Sequence, residues 1–253
     1  MTPVSEDCTG FCRDCGVEHA LPAAPAVPHA MALMAEIEAR GGIAPPGSDD
    51  PRLGLDYLFG PARGQMFGVL VCLGRDGGER VLKAFSGQYN GVWEVQGWTP
   101  PMVDPDEFRR ATEVDEPRIK SLTARIQGLA PEDPVRGGLL AERRALSREL
   151  MDRIFDLYRP INFRGQRRLL REAFLGRSMP TGTGECCAPK LLHHAALSGL
   201  VPLALAEFYV GRENRSGTRA HGRFFAPCAE KCRPLLGFLL CGAQELRAGL
   251  SLP

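Results

Sequence analysis

The chain has 253 residues and a formal net charge of +1, with 44% hydrophobic and 24% charged residues. These values are ordinary for a globular protein and exclude a wholly disordered chain, which would be poor in apolar residues and strongly charged. The near-zero charge argues against a uniformly basic surface for nucleic acid, although it permits a local basic patch.

The sequence gives no sign of membrane insertion or export. No apolar run approaches the roughly 20 residues that cross a bilayer, and Met1–Gly10 lacks the basic and apolar regions of a signal peptide. The nine cysteines are an odd number, which argues against a disulfide framework. We therefore expect a cytoplasmic protein, not bound to membranes, whose clustered thiols hold metal.

Residues 1–28 are expected to form a metal-binding segment followed by a Pro/Ala-rich linker over Leu21–Pro28. Their C-x3-C-x2-C-x3-H spacing suits one tetrahedral zinc ion in a small knuckle. The ligands would be Cys8, Cys12, Cys15 and His19. The first three cysteines also have the spacing of the cluster motif of radical S-adenosylmethionine enzymes, so an iron–sulfur cluster is the alternative.

The next third of the chain predicts a helix and then strands. Helical composition extends from His29 to Arg40. Two apolar runs, Gln65–Leu73 and Glu79–Phe85, flank an Asp-Gly turn and predict a β-hairpin. A third strand is predicted over Val92–Trp98.

The middle of the chain is helical and ends in a run of arginines. Apolar residues at helical spacing predict helices over Pro117–Leu129 and Gly138–Tyr158, joined as a helical hairpin. The arginines that follow are candidates for contacts with RNA phosphates, with an ordinary exposed helix as the alternative. They are Arg164, Arg167, Arg168 and Arg171.

The last third contains the candidate catalytic metal site. We predict a helix over Cys186–Ser198, a buried strand over Val201–Val210 and a second helix from Pro227 through Leu240. Cysteines at the two helix N-termini are favoured as thiolates. Three thiolates, from Cys186, Cys228 and Cys232, would leave a fourth zinc position open, which is the arrangement of catalytic sites. The remaining thiols of Cys72 and Cys241 are interpreted as core residues.

This order of elements resembles the zinc nucleobase deaminase superfamily, in which a Pro-Cys-x-x-Cys motif supplies two ligands. The resemblance implies that Cys186, Cys228 and Cys232 hold zinc. It places the family's catalytic glutamate at Ala188, so either Glu185 or Glu207 would replace it, or deamination has been lost and the zinc kept. His221 is a further candidate, as a fourth ligand or a general acid/base.

A second resemblance covers about residues 85–242. It rests on the following segments: Ala84-Phe85-Ser86-Gly87, Trp98-Thr99-Pro100-Pro101, Gly184 to Leu192, Pro202 to Phe208, and His221 to Pro234. Together they resemble the N-terminal accessory region of some bacterial pseudouridine synthases that act on ribosomal RNA and tRNA. This implies an RNA-modification context. It does not imply pseudouridine synthesis, because the Arg-Leu-Asp motif of those enzymes is absent and Gly54-Leu55-Asp56 lacks the arginine.

These inferences together predict an α/β fold: a three-layer mixed sheet with flanking helices, like that of cytidine deaminases, over residues 29–253. A helical insertion would occupy about residues 106–175. The leading hypothesis is a zinc-dependent, RNA-associated protein with two zinc sites that takes part in tRNA or rRNA base modification, with an RNA-modifying enzyme as a candidate partner. The alternatives are a non-catalytic RNA-binding or scaffold module with structural zinc, and an iron–sulfur redox protein.

Overall fold

The computed structural model describes residues 6–60 and 62–249, which form an α/β fold. Within them, in chain order, lie β1 (Cys8–Cys12), β2 (Val17–Leu21), α1 (Val27–Arg40), α2 (Asp56–Phe59), β3 (Gln65–Leu73), β4 (Glu79–Phe85), α3 (Pro105–Thr112), α4 (Asp115–Gln127), α5 (Arg136–Leu157), α6 (Leu170–Ala173), α7 (Cys187–Leu197), β5 (Val201–Val210), β6 (Phe224–Phe225), α8 (Arg233–Leu240) and α9 (Ala243–Ala248). In this part of the chain, no helix has both the length and the apolar composition that a bilayer crossing requires.

The central sheet has four strands in the order β4-β3-β5-β6. All three strand pairs are antiparallel, so the prediction of a mixed sheet is wrong. The chain reverses direction at one short turn between β3 and β4, and a short turn favours an antiparallel pair. The predicted bounds of β3, β4 and β5 are confirmed. The strand predicted over Val92–Trp98 is wrong, because Val92 makes only an isolated bridge to Tyr89 and the residues after it are irregular.

Each face of the sheet has its own apolar core. On one face Leu70, Cys72 and Leu205 pack against α7 and α8. On the other, Phe67, Phe208 and their neighbours pack against α1. Alternate strand residues point to opposite faces, so an apolar run such as β3 serves both cores. Cys72 is fully buried, as its apolar surroundings predict.

The two helices predicted in the middle of the chain are present. Helices α4 and α5 form the helical hairpin, with a small core of their own. That core contains Leu122, Ile126, Leu139 and Leu146. The C-terminal part of α5 adds Phe155 to the core beneath the sheet. The helical hairpin is therefore anchored at one end to the side of the sheet on which α7 and α8 lie.

The N-terminal segment packs on the same side instead of extending away as an appendage. Strands β1 and β2 form an antiparallel hairpin, and β1 lies directly on α8. Gly10 and Gly237 meet at this crossing, where a Cβ on either one would overlap the opposite backbone. The stretch expected to be a linker is also part of the fold, because Ala23 and Ala26 are fully buried.

Candidate metal centres

Three cysteines from two parts of the chain meet at one point, which we call the three-cysteine site. The Sγ atoms of Cys186, Cys228 and Cys232 all lie within 4.8 Å of one another, and those of Cys228 and Cys232 are 3.3 Å apart. Hydrogen bonds from the two neighbouring thiols lower the pKa of Cys228. The site can therefore hold a metal ion, as the sequence predicts, and metal binding would displace the thiol protons.

Local backbone geometry accounts for the convergence of these thiols. Cys186 is the N-cap of α7 and Cys232 the N-cap of α8, and both helices pack on the same core. The Cys232 N–H donates to the Cys228 carbonyl at 3.1 Å, which closes a single helical turn before α8. One helical turn brings side chains four residues apart onto the same face. Cys228 and Cys232, at C-x3-C spacing, can therefore bind the same metal ion.

A cavity of about 740 Å³ opens onto the three-cysteine site. Glu207 on β5 lines this cavity and is 4% exposed. Its Oε1 accepts a hydrogen bond of 2.8 Å from the Ala188 N–H in the first turn of α7. Burial raises the pKa of Glu207 to about 7, and the charge of Cys228 acts in the same direction. The site thus combines three converging thiols that could hold a metal with a buried carboxyl group.

Glu185 also lines the cavity, but it is held by the surrounding backbone. Its Oε1 accepts hydrogen bonds from the N–H groups of Met102 and Val103 at 3.1 and 3.4 Å. Its Oε2 lies 3.7 Å from Nζ of the fully buried Lys190. Burial raises the pKa of Glu185, and the charge of Lys190 opposes that shift. Of the two glutamates suggested by the sequence, Glu185 is therefore the one with a structural role.

The Lys190–Glu185 pair leads to a prediction about stability. Lys190 also donates to the Gly87 carbonyl at 3.2 Å and lies over the Phe85 ring. We expect Lys190→Met to destabilise the fold by about 3 kcal/mol, because Glu185 loses its buried cation. The cost stays near the low end of the range for broken buried pairs, since the Glu185 carboxyl can take up a proton. Urea unfolding followed by circular dichroism measures this change.

The matched control is the double variant Lys190→Met with Glu185→Gln. Removing both charges leaves no uncompensated ion, so the double variant should be more stable than Lys190→Met alone. If the two variants unfold at the same urea concentration, the pair does not carry the stability assigned to it.

A second group of ligands, which we call the four-ligand site, lies at the other end of α8. It contains Cys12, Cys15, His19 and Cys241, with all ligand atoms within 4.8 Å of one another. Cys8 is not part of it, which corrects the predicted ligand set. Cys8 and Cys12 lie at opposite ends of β1, roughly 13 Å apart at the rise of an extended strand. Cys241, expected to be a core residue, takes its place.

Cys241 was missed because its neighbours in sequence are apolar and it lies far along the chain from the other ligands. Cys241 is the C-cap of α8, directly before Gly242, and this local pattern does not distinguish a ligand from a core residue. Cys187 is not a ligand in either group. Its Sγ donates to the Met66 carbonyl at 3.3 Å and packs the start of α7 onto β3.

His221 belongs to neither group of ligands. Its Nδ1 accepts from the Gly211 N–H at 3.3 Å, and its Nε2 lies 3.3 Å from the Glu38 carboxylate on α1. His221 thus connects the loop after β5 to α1. The roles predicted for it, as zinc ligand or acid/base, are not supported by this placement.

The four arginines predicted to contact RNA phosphates do not lie on one helix. Residues 158–169 form an irregular loop, and only Leu170–Ala173 is helical. Three of the four arginines face acidic side chains: Arg164 with Glu245, Arg168 with Asp14, and Arg171 with Asp152 and Asp156. Arg167 is exposed. These carboxylates offset most of the positive charge that the sequence suggested for phosphate binding.

Comparison with protein-family models, curated proteins and solved structures found no match to this chain. The interpretation of the two metal centres therefore rests on their own geometry.

Proposed function

We propose that this protein is a zinc-dependent hydrolase of the nucleobase-deaminase type that acts on RNA through the three-cysteine site. The observation that carries the proposal is the position of Glu207. Its buried carboxyl group lies in the same cavity as three converging thiols. A purely structural zinc site is closed by four protein ligands, whereas three ligands beside a cavity leave room for water and substrate.

The arrangement of elements around the site supports a deaminase-like architecture. The hairpin β3–β4 precedes α7, β5 pairs with β3, and α8 follows with its own cysteines. Helices α7 and α8 lie on the same face of the sheet, so their N-termini converge. Ala188 stands where that superfamily has its glutamate, and Glu207 reaches the Ala188 N–H from β5. This contact supports Glu207 as the residue that supplies the carboxylate in place of the one missing at Ala188.

The chemistry divides between a metal and this carboxylate. A zinc ion bound by three thiolates supplies Lewis acidity at a neutral pH. Glu207 holds its position through Oε1, which leaves Oε2 to accept a proton from water and return it to the departing amine. The overall reaction would consume water, release ammonia and replace an exocyclic amino group by oxygen.

The cavity and its rim favour a base within RNA over a small metabolite. A second cavity, of about 530 Å³, adjoins the first around Cys228 and continues the groove. Arg219 lines both cavities, and its guanidinium group lies 4.3 Å from the centre of the Phe225 ring. Lys231 adds a second positive charge. Aromatic and guanidinium planes suit unstacked bases. The linings also contain Glu230, Glu6 and Asp7, so the support for RNA comes from the stacking surface and not from net charge.

Nucleoside analysis of treated RNA tests this proposal. The zinc-loaded protein is incubated with single-stranded RNAs and, separately, with free nucleosides, and the digested products are measured by mass spectrometry. We expect one RNA base to lose its amino group with release of ammonia. Conversion of free nucleosides alone would show that the substrate is a small molecule.

Cys186→Ser is the control variant for this experiment. It should lose the zinc of the three-cysteine site together with the activity, because one of three ligands is removed. If the wild-type protein carries this zinc and converts neither RNA nor nucleosides, the site is structural. The protein would then fit the non-catalytic scaffold hypothesis.

A further inference from the structure

The geometry of the four-ligand site fits a single ion. Cys15 Sγ lies 3.9 Å from Cys241 Sγ and 3.1 Å from His19 Nε2. Two thiolates on one tetrahedral zinc lie about 3.8 Å apart, because each Zn–S bond is about 2.3 Å. An iron–sulfur cluster distributes its four ligands over two or more iron atoms and needs a wider cage. The compact donor set therefore favours one zinc ion.

The surroundings of the site also favour a bound cation. Cys12 and Cys241 are 1% and 0% exposed, and His19 is 6% exposed. The His19 Nε2 lies 3.1 Å from the Cys15 Sγ, so the imidazole is aimed at the thiols. Such a set of buried polar groups is costly without an ion to satisfy it.

The segment around Arg164 packs against this site. The Arg164 side chain, paired with Glu245, lies over Gly242, next to Cys241. The neighbouring Phe163 N–H donates to the Cys241 carbonyl at 3.0 Å. The arginine segment predicted to contact RNA phosphates thus packs against the four-ligand site.

One short helix connects the two metal centres. Cys232, in the three-cysteine site, is the N-cap of α8, and Cys241, in the four-ligand site, is its C-cap. Strand β1 crosses α8 at the Gly10–Gly237 contact and ends at Cys12. A zinc ion at the four-ligand site would therefore fix the N-terminal hairpin and the C-terminal end of α8 together.

We propose that the four-ligand site is a structural zinc site that joins the two ends of the chain and, by holding α8, sets the position of Cys232 for metal binding at the three-cysteine site. The first part does not depend on the proposed function. The second part rests on metal binding at the three-cysteine site, which the proposed function also requires.

The experiment compares Cys241, which the structure identifies as a ligand, with Cys8, which the sequence predicted as one. Zinc per chain is measured by elemental analysis, and the affinity of each remaining site by competition with a chromophoric chelator. For Cys241→Ala we expect one zinc to be lost and the affinity of the other to fall at least about tenfold, a 1.4 kcal/mol coupling. Cys8→Ala, a buried thiol of the same hairpin, should keep both ions.

The possible outcomes separate the two parts of the proposal. Two zinc ions in Cys241→Ala would overturn the four-ligand site, and visible absorption with bound iron would overturn its zinc. Loss of one ion with unchanged affinity for the other would overturn the coupling alone. If the wild-type protein holds one zinc that Cys186→Ala does not remove, the three-cysteine site and the proposed function fail while the four-ligand site stands.

A measurement on the wild-type protein covers the case in which Cys241→Ala does not fold. Chelator is added stepwise, and hydrogen exchange of residues 8–21 is followed by mass spectrometry. We expect exchange in the hairpin to rise with release of the more tightly held zinc, because that ion holds β1 and β2 against α8. Hairpin exchange that does not change after both ions have left would contradict the proposal.

Discussion

Glu207→Gln should lower the rate of the proposed hydrolysis by about 10²–10⁴-fold, the usual contribution of a positioned acid/base. That loss corresponds to about 3 to 5 kcal/mol of transition-state stabilisation. Glutamine keeps the shape of the side chain, and its carbonyl oxygen can still accept the Ala188 N–H. It cannot take up and return a proton. Zinc content should therefore stay the same while turnover, measured as ammonia release, falls.

Glu185→Gln is the matched control, because both glutamates line the cavity and both are buried. Glu185 is occupied by backbone N–H groups and Lys190, so its substitution should reduce turnover by less than about tenfold. The opposite ranking of the two variants would assign the proton transfer to Glu185. If both variants turn over as fast as the wild type, neither carboxylate takes part in the reaction.

The sheet could be predicted from the sequence because its signals are local. The Asp-Gly turn and the apolar runs around it define β3 and β4, and the predicted bounds match those observed. The mixed-sheet prediction failed for a different reason. Apolar runs indicate that both faces of a strand are buried, but they do not specify the direction of its neighbour.

The two metal centres differ in how far spacing alone could identify them. Cys228 and Cys232 share a helical turn, so the C-x3-C pattern correctly indicated a chelating pair. Cys8 and Cys12 have the same spacing within a strand, where the extended backbone separates their side chains. The fourth ligand, Cys241, lies 226 residues from Cys15 in sequence. Only tertiary packing brings these two together, so no local pattern could predict the pair.

Gly237→Ala is expected to cause the largest loss of stability of any variant considered. The added Cβ would overlap the carbonyl group of Phe11 on β1, and this obstacle is backbone, which cannot rotate away. Relief requires β1 to move off α8, which exposes the apolar contacts of the hairpin. We expect a loss of about 4 kcal/mol, above the roughly 1–3 kcal/mol typical of overpacked cores, because the backbone obstacle cannot yield as a side chain does. Denaturant unfolding in the presence of zinc measures it.

The control substitution is Gly138→Ala in the first turn of α5, where an added Cβ meets nothing within 4 Å. Alanine is the better helix former there, so this variant should be unchanged or more stable by up to about 1 kcal/mol. Gly237→Ala should also weaken zinc binding at the four-ligand site, because Cys12 moves with β1 while Cys241 stays with α8. A Gly237→Ala protein that unfolds like the wild type and keeps that zinc would show that β1 does not need this backbone contact. The close approach of two glycines is thus what brings Cys12 on β1 and Cys241 at the end of α8 near enough to bind one ion.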